Sequence, residues 1–306
     1  MTELSFGLSV STSAGNGADP VAAAQRAEAL GFDFISAPDH PEGTDPTLET
    51  WTMLAWIAAS TSRLGIASKV LGVPFRPPAL TAKMAETMDR LSNGRLILGL
   101  GGGYSDDEIR ALGLPARTPG EKITGLEDTI HILRGLWSQQ RFSYHGTISR
   151  VDAAEMEPKP RRRIPIWLGT FGPRALDLTG RLADGWIPSI GFAPPEVIPD
   201  MRARILAGAR EAGRDPREIT CAYHMQTCID PPSKQPAGVV AGSPEEVAEQ
   251  LLSFIGLGFT AMNFSPTGPG TDEQIERLAR EVLPMVRAGS RESRLADRSA
   301  ARGFLT

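Results

Sequence analysis

The feature that most constrains the fold is an alternation of short apolar runs with helix-like segments, repeated eight times along the 306 residues. The runs predicted to be strands are Phe6–Val10, Phe32–Ala37, Leu64–Val70, Arg95–Leu100, Ile164–Leu168, Gly185–Pro188, Ile219–Ile229 and Thr260–Phe264. Strands separated by helices pair in parallel. Eight such units in fewer than 300 residues suit a closed barrel better than an open doubly wound sheet, so we predict an α/β fold, a (β/α)8 barrel.

Several of the intervening segments begin with helix-capping signals. Asp19-Pro20 places a capping aspartate before a proline, and Thr118–Glu121 and Ser243–Glu246 both read as capping boxes. The predicted helices are Val21–Leu30, Leu48–Ser60, Pro78–Leu91, Thr118–Trp137, Pro173–Ala183, Pro195–Ala212, Val247–Gly256 and Thr271–Ala288.

The domain organisation follows from where this alternation stops. Between about 138 and 163 the chain is polar, aromatic and basic in turn, which indicates an insertion between strands four and five. Residues 289–306 are polar and are predicted to form a C-terminal tail that frays or docks weakly. We therefore predict one barrel domain over residues 1–288, with an insertion and a short tail.

Charge and composition exclude several classes of partner. The formal net charge is −4, which gives no reason to expect nucleic acid. No apolar run approaches the roughly 20 residues of a membrane span, and no secretory signal is visible at the N-terminus. Cys221 and Cys228 lie an odd number of residues apart on one predicted strand, so they face opposite sides and cannot pair locally. We expect a cytoplasmic protein.

In a barrel of this type, chemistry gathers in the loops after the strands. Strand four is followed by a glycine-rich run, Gly99–Glu108, which fails the dinucleotide fingerprint because Tyr104 stands where a glycine is required. Three successive glycines, Gly101, Gly102 and Gly103, still allow the backbone to approach a flat ligand closely. The alternative is a tight strand-to-helix turn.

Two other strand ends carry candidate groups. After strand five, Gly169–Arg174 leads into a helix that starts at Pro173; such a helix start is either a phosphate site, with Arg174 adding a contact, or an ordinary capped helix. After strand two, Asp39-His40 pairs a proton-transferring side chain with a carboxylate, although such pairs also occur by chance. We find no metal-ligand spacing, nucleophile elbow or P-loop. A phosphate-bearing organic cofactor is therefore the leading explanation.

The segment from Ala79 to Gly101, ALTAKMAETMDRLSNGRLILGLG, strongly resembles the luciferase-like oxidoreductase family, the flavin- or deazaflavin-dependent barrels. The same resemblance extends over nearly the whole chain through Leu30–Phe34, Glu157–Pro160 with Ile164–Trp167, and Arg181–Trp186. It implies a (β/α)8 barrel with an insertion after strand four and a cofactor that is either FMN or the deazaflavin coenzyme F420.

The resemblance also implies where the cofactor binds. Phosphate contacts are expected at the strand-five loop, and the ring or its side chain is expected beside the glycine loop. The residues carried over are Gly169, Thr170, Gly172, Pro173 and Arg174 for phosphate, and Gly101, Gly102, Gly103 and Tyr104 beside the ring. Lys69-Val70-Leu71 resembles a strand-three pattern that backs the ring, often with a non-prolyl cis bond; Lys69 replaces the usual small residue, which leaves that bond open.

Asp39-His40 resembles a pair in the deazaflavin branch whose histidine lies near the hydride-transferring carbon, which favours F420 over FMN. The implied roles are acid/base or substrate-orienting group for His40 and cofactor contact for Asp39. The chain departs from the deazaflavin sugar-phosphate dehydrogenases at two places. Tyr104 stands where they have a glutamate acid, and Glu42-Gly-Thr44 stands where they have a tryptophan. These departures argue against a sugar phosphate as substrate.

The resulting prediction is an F420-dependent oxidoreductase that transfers a hydride between the deazaflavin and a small organic substrate. Two alternatives stay open: an FMN-dependent monooxygenase that uses reduced flavin and oxygen, and a non-catalytic cofactor-binding barrel. A nicotinamide-only reductase is disfavoured because no basic cluster for a second phosphate stands out. The resemblance further implies a homodimer.

Overall fold

Eight parallel strands close into a barrel in the computed structural model, which describes residues 4–292. The strands in chain order are β1 Ser5–Ser9, β2 Phe34–Ala37, β3 Gly65–Ser68, β4 Leu71–Gly72, β5 Leu96–Gly101, β6 Phe142–His145, β7 Arg150–Ala154, β8 Ile166–Leu168, β9 Gly185–Trp186, β10 Thr220–Ile229, β11 Val239–Gly242 and β12 Ala261–Pro266. The barrel runs β1-β2-β3-β5-β8-β9-β10-β12 and closes where β12 pairs with β1. The predicted (β/α)8 fold is confirmed.

Helices connect the barrel strands on the outside. Their bounds are α1 Pro20–Ala29, α2 Thr50–Ser60, α3 Pro78–Leu91, α4 Asp106–Ala111, α5 Pro119–Ser138, α6 Pro173–Leu182, α7 Ile198–Glu211, α8 Pro244–Gly256 and α9 Thr271–Arg277. Both predicted capping boxes form, at the starts of α5 and α8, and the Asp19 carboxylate caps α1. No helix within residues 4–292 is long and apolar enough to cross a membrane.

The helical chain after α9 includes a π-helical turn at Leu278–Val282 and continues to residue 292. The predicted tail, 289–306, therefore begins inside this helix, and its residues 293–306 lie outside the described part of the chain. The division into one domain, an insertion and a tail stays a prediction.

Besides the two-residue β4, three elements were not predicted from the sequence. The insertion contains a hairpin, β6 with β7, where we expected an irregular stretch. Its turn is tied to α5 because the Asp128 carboxylate accepts hydrogen bonds from the backbone amides of Ile148 and Ser149 and from the Tyr144 hydroxyl. Helix α4 follows the glycine loop, and β11 extends the sheet beside β10. All three are short, so their periodicity in the sequence is weak.

The barrel interior is filled beneath its open end by a small apolar cluster. Phe34 and Trp167 meet edge to face there, with ring centroids 5.7 Å apart. On the two neighbouring strands, a Cβ at Gly7 would stand 2.2 Å from the Phe34 ring, and one at Gly65 would stand 2.9 Å from the Phe34 Cβ. The glycines therefore leave room for the Phe34 side chain inside the barrel, and the polar groups of the cavity lie nearer the open end.

Helices α6 and α7 approach each other more closely than side chains would permit. A Cβ at Gly180 of α6 would lie 2.1 Å from the Ile205 carbonyl oxygen, and one at Gly208 of α7 would lie 2.8 Å from the Asp177 carbonyl oxygen. Each glycine therefore leaves room for a backbone carbonyl of the other helix. This matters for the site because α6 begins directly after the strand-five loop.

Candidate functional site

A cavity of about 460 Å³ opens at the C-terminal end of the barrel strands, the end where barrel enzymes place their sites. Its volume falls within the ~300–1,000 Å³ of typical small-molecule sites. It is lined by Asp39, His40, Lys69, Val70, Gly72, Phe75, Gly101, Gly102, Gly103, Tyr104, Glu108, Gly169, Phe171, Ile187, Ser189 and Phe192. The structure thus brings together most of the residues predicted from the sequence.

Val70 forms the floor of this cavity, directly after a cis peptide bond between Lys69 and Val70. Glycines on both neighbouring strand ends leave the floor flat. A Cβ at Gly101 would lie 2.7 Å from the Val70 side chain, and one at Gly169 would lie 3.3 Å from it. Larger residues at either position would push Val70 upward. The glycine-cleared floor therefore offers a flat apolar surface for a planar ligand.

His40 and Glu108 meet at the edge of the cavity, with 3.2 Å between His40 Nδ1 and Glu108 Oε2. The Glu108 side chain is 6% exposed, whereas that of His40 is 56% exposed. Ser105 caps the short helix α4 and so fixes the position of Glu108. A carboxylate accepts hydrogen bonds, so it holds the proton of the neutral imidazole on Nδ1 and leaves Nε2 as an acceptor.

The other Glu108 oxygen has a different environment. Within residues 4–292, Oε1 is buried without a hydrogen-bond partner. A buried carboxylate oxygen without a donor is costly, so this atom is suited to accept a hydrogen bond from a ligand hydroxyl or amine.

Asp39 is held from the side opposite to His40. Its carboxylate accepts two hydrogen bonds from the Arg76 guanidinium, at 2.7 and 3.1 Å, and one from the Gly72 amide at 3.0 Å. Arg76 also contacts Glu49, which caps α2. Asp39 is thereby fully paired, and the network fixes the backbone that carries His40.

Lys69 projects from the strand-three end into the cavity lining, and burial lowers the pKa of its ammonium to about 8. Its charge bears on His224 of β10. Burial, followed by the nearby Lys69 charge, lowers the pKa of His224 to about 3 even though a hydrogen bond to the Asn263 carbonyl opposes the shift. The Ser36 hydroxyl donates to Asn263 Oδ1, so the Asn263 amide nitrogen faces His224 Nδ1 at 3.0 Å. The lowered pKa favours the neutral form of His224.

Three aromatic side chains from separate loops form a rim around the mouth of the cavity. Phe192 lies between the other two, with ring centroids 5.9 Å from Tyr104 and 5.5 Å from Phe171. Their exposed fractions are 76% for Tyr104, 37% for Phe171 and 61% for Phe192. Clustered exposed aromatic rings mark ligand-binding surfaces. We call Tyr104, Phe171 and Phe192 the aromatic rim.

The predicted phosphate loop contributes less directly. Of the predicted residues, Leu71, Thr170, Gly172, Pro173 and Arg174 lie outside the cavity lining. The Thr170 hydroxyl is buried against that of Thr179, and the Arg174 guanidinium binds Gly120 and Thr124 of α5. Gly172 caps α6 without a side-chain hydrogen bond, which leaves the first amides of the helix to solvent or a ligand. Phosphate binding at this helix start stays a prediction.

Several lining residues were missed from the sequence: Gly72, Phe75, Glu108, Phe171, Ile187, Ser189 and Phe192. Glu108 and Phe171 fall inside the two loops that the sequence had singled out, so their position after a strand was a usable signal. Phe192 carried no such signal, because it lies in an irregular segment after β9 whose path depends on the folded barrel.

Several known proteins are similar to this chain in sequence or in fold. The model of a family described as luciferase-like monooxygenase matches residues 4–237. An F420-dependent glucose-6-phosphate dehydrogenase of Microbacterium testaceum is 27% identical, with 85% of this chain and 91% of the relative covered. A 5,10-methylenetetrahydromethanopterin reductase of Methanolobus tindarius is 30% identical, with 74% of this chain and 69% of the relative covered.

Among solved structures, an F420-dependent secondary alcohol dehydrogenase in complex with an F420-acetone adduct superposes with a TM-score of 0.84 at 20% identity. The match covers 93% of this chain and 99% of that one. At this identity the likeness concerns the fold.

Proposed function

Because this chain belongs to the luciferase-like monooxygenase family, we propose that it is an F420-dependent oxidoreductase that transfers a hydride between the deazaflavin and a small organic substrate. Relatives over most of the chain length include F420-dependent enzymes, which supports the choice of F420 over FMN. Each predicted site residue has a proposed role in this reaction.

One observation carries this proposal: a flat apolar floor and a histidine–carboxylate pair share one cavity. The floor at Val70, cleared by Gly101 and Gly169, fits a planar ring, and the orphaned Glu108 Oε1 fits a ligand that donates a hydrogen bond. When bound, the deazaflavin supplies the atom that accepts or gives the hydride. The barrel supplies the orientation and the proton.

His40 is the group that moves the proton. With the proton of the neutral ring held on Nδ1 by Glu108, Nε2 is free to accept a proton from a substrate hydroxyl, or to return it in the reverse direction. Asp39 acts on the backbone through Arg76 and Gly72 and so keeps His40 at the edge of the floor. The start of α6 is assigned to the cofactor phosphate.

The aromatic rim supports a substrate with apolar or planar character. The sequence resemblance puts Tyr104, exposed at the mouth, where sugar-phosphate dehydrogenases have an acid, although Glu108 here supplies a carboxylate beside His40. Arg76 is already engaged by Asp39 and Glu49. We therefore expect glucose 6-phosphate to be a poor substrate.

Cofactor titration tests the proposal directly. Purified protein is titrated with F420 and, separately, with FMN by isothermal titration calorimetry. Tight F420 binding with weak or absent FMN binding is expected. Tight binding of FMN alone would contradict the F420 assignment and favour a monooxygenase. F420 binding without turnover across a broad panel of alcohols, aldehydes and enones would instead favour a non-catalytic barrel.

A homodimer and a cytoplasmic location belong to the same proposal. Trp56 on α2 and Leu80 on α3 are 69% and 52% exposed, which supplies apolar surface for a second copy. Cys221 and Cys228 are buried free thiols, which suits a reducing compartment. Light scattering coupled to size exclusion measures the oligomeric state; a monomeric mass would contradict the dimer.

A further inference from the structure

We infer that the Lys69 ammonium is a fixed positive charge that pairs with the negatively charged, reduced form of the cofactor, so that this site favours the reduced over the oxidised form. The inference rests on the proposed function for the identity of the cofactor. It starts from a single feature of the cavity: a buried lysine next to the floor residue Val70, to which no carboxylate among residues 4–292 supplies a counter-charge.

The carboxylates that share the cavity with Lys69 are committed elsewhere. Asp39 is paired with Arg76 and the Gly72 amide, and Glu108 Oε2 is paired with His40. Within residues 4–292, no carboxylate forms an ion pair with Lys69, and burial is the only cause that acts on its pKa. The Lys69 charge, added to the effect of burial, helps to keep the neighbouring His224 neutral.

A purely structural role does not account for this lysine. An unpaired ammonium pays a desolvation cost on burial, and that cost is recovered when an anion binds. The related sequences that Lys69-Val70-Leu71 resembles have a small residue at this place, so the barrel does not require a long side chain there. Lys69 lines the same cavity as Val70, so its ammonium is available to an anionic ligand that occupies the cavity.

The charge matches the chemistry of hydride transfer. A hydride carries two electrons and one proton, so the cofactor that receives it gains one unit of negative charge. The substrate carbon that gives up the hydride forms a carbonyl as the hydroxyl proton passes to His40. A fixed cation in the cavity therefore favours the reduced form, which carries one negative charge more than the oxidised form before any proton is taken up.

The test measures binding in the absence of substrate, so it is independent of turnover. Oxidised and reduced F420 are titrated by calorimetry, under anaerobic conditions, into wild-type protein, Lys69→Met and Lys69→Arg. Lys83→Met serves as the matched control, because Lys83 contacts the Glu157 carbonyl on the outside of α3. Lys69→Met should bind reduced F420 at least tenfold more weakly and oxidised F420 within threefold of wild type. Lys69→Arg and Lys83→Met should keep the preference.

The ratio of the affinities for reduced and oxidised F420 can also be measured as the midpoint potential of the bound cofactor. A tenfold loss of preference equals a fall of about 30 mV in the two-electron midpoint potential of the bound cofactor. Equal weakening of both forms, or no change in either, would overturn the inference. Thermal unfolding checks that Lys69→Met is folded; if it is not, Lys69→Ser, the small residue of the related pattern, replaces it.

Failure of the proposed function would give different binding results from failure of the inference about Lys69. If wild-type protein binds neither form of F420 but binds FMN, the F420 assignment fails, and the same variants titrated with oxidised and reduced FMN decide the role of Lys69. A wild-type protein that binds neither cofactor overturns both.

Discussion

The contact between His40 and Glu108 joins residues that are 68 positions apart and belong to different strand-end loops. Asp39-His40 follows its strand directly, so its location at the barrel mouth was predictable from the sequence. The partner was not, because which carboxylate reaches a histidine depends on the exact path of the glycine loop and of α4. Tyr104, four residues earlier, lies at the rim instead.

Removal of His40, the proposed proton-transferring group, should separate chemistry from binding. His40→Ala is expected to lower turnover by about 100-fold, within the usual range for general acid–base groups, while F420 affinity stays within a few-fold. Steady-state kinetics and calorimetry on the same preparation measure both. Unchanged turnover would remove His40 from the mechanism.

Removal of its partner should act through the histidine ring. Glu108→Ala is expected to lower kcat about tenfold with little change in F420 affinity, because the His40 ring loses the acceptor that orients it. ¹⁵N NMR of the ring nitrogens should show the proton leaving Nδ1, and Glu108→Gln, which keeps an acceptor oxygen, should restore part of the effect. An unaltered ring spectrum in Glu108→Ala would contradict the positioning role.

Lys69 links the site to stability. Its pKa in the folded protein is about 8, below the ordinary 10.5, so the unfolded chain holds the proton more tightly between these values. The free energy of unfolding should therefore rise from pH 8 to 10.5, and Lys69→Met should be about 2–3 kcal/mol more stable than wild type at pH 7. Urea unfolding at pH 7 and pH 10 measures this. The difference between the two proteins should shrink at the higher pH; a constant difference would contradict it.

At the scale of elements, the barrel strands and the main helices were predictable because each carries a strong local pattern. The capping boxes at Thr118 and Ser243 and the proline starts placed helix beginnings well. The hairpin β6–β7 was missed because its turn is held by Asp128 of α5. A contact between segments so far apart in the chain cannot be predicted from a local sequence pattern. The prediction also missed α4, because its six residues give little helical periodicity.

The close contact between α6 and α7 yields a prediction with a built-in control. Gly180→Ala inserts a methyl group where a Cβ would meet the Ile205 carbonyl, and it should destabilise the protein by about 1–3 kcal/mol. Gly256→Ala, at the end of α8, meets nothing within 4 Å and should be neutral or stabilise by up to about 1 kcal/mol. Urea unfolding compares the two; equal stabilities would refute the close packing.

At the scale of the whole molecule, the closed sheet gathers loops that are far apart in sequence around one cavity. The length and the eight alternations were sufficient to predict this closure, since β12 has to return beside β1. The contents of the mouth were only partly predictable. The glycines and the Asp39-His40 pair can be identified from the sequence, whereas Phe192 joins the aromatic rim only through the path of an irregular segment.

A ligand that binds only this folded cavity should stabilise the entire barrel. F420 at 100 times its Kd is expected to add about 2.7 kcal/mol to the free energy of unfolding, by mass action. Chemical denaturation with and without F420 measures the gain, and FMN at the same concentration serves as the comparison. An equal gain with FMN would argue that the mouth does not discriminate between the two cofactors.

The reciprocal glycine contact behind the strand-five loop also bears on how such a barrel can change over generations. Gly180 and Gly208 fix how closely α6 and α7 approach, through backbone contacts that lie within the two helices themselves. Mutations in the aromatic rim can therefore alter which molecules enter while the two helices keep their packing. The architecture separates an inherited helix contact from a surface open to selection, which allows the mouth of the cavity to change while the surrounding barrel is kept.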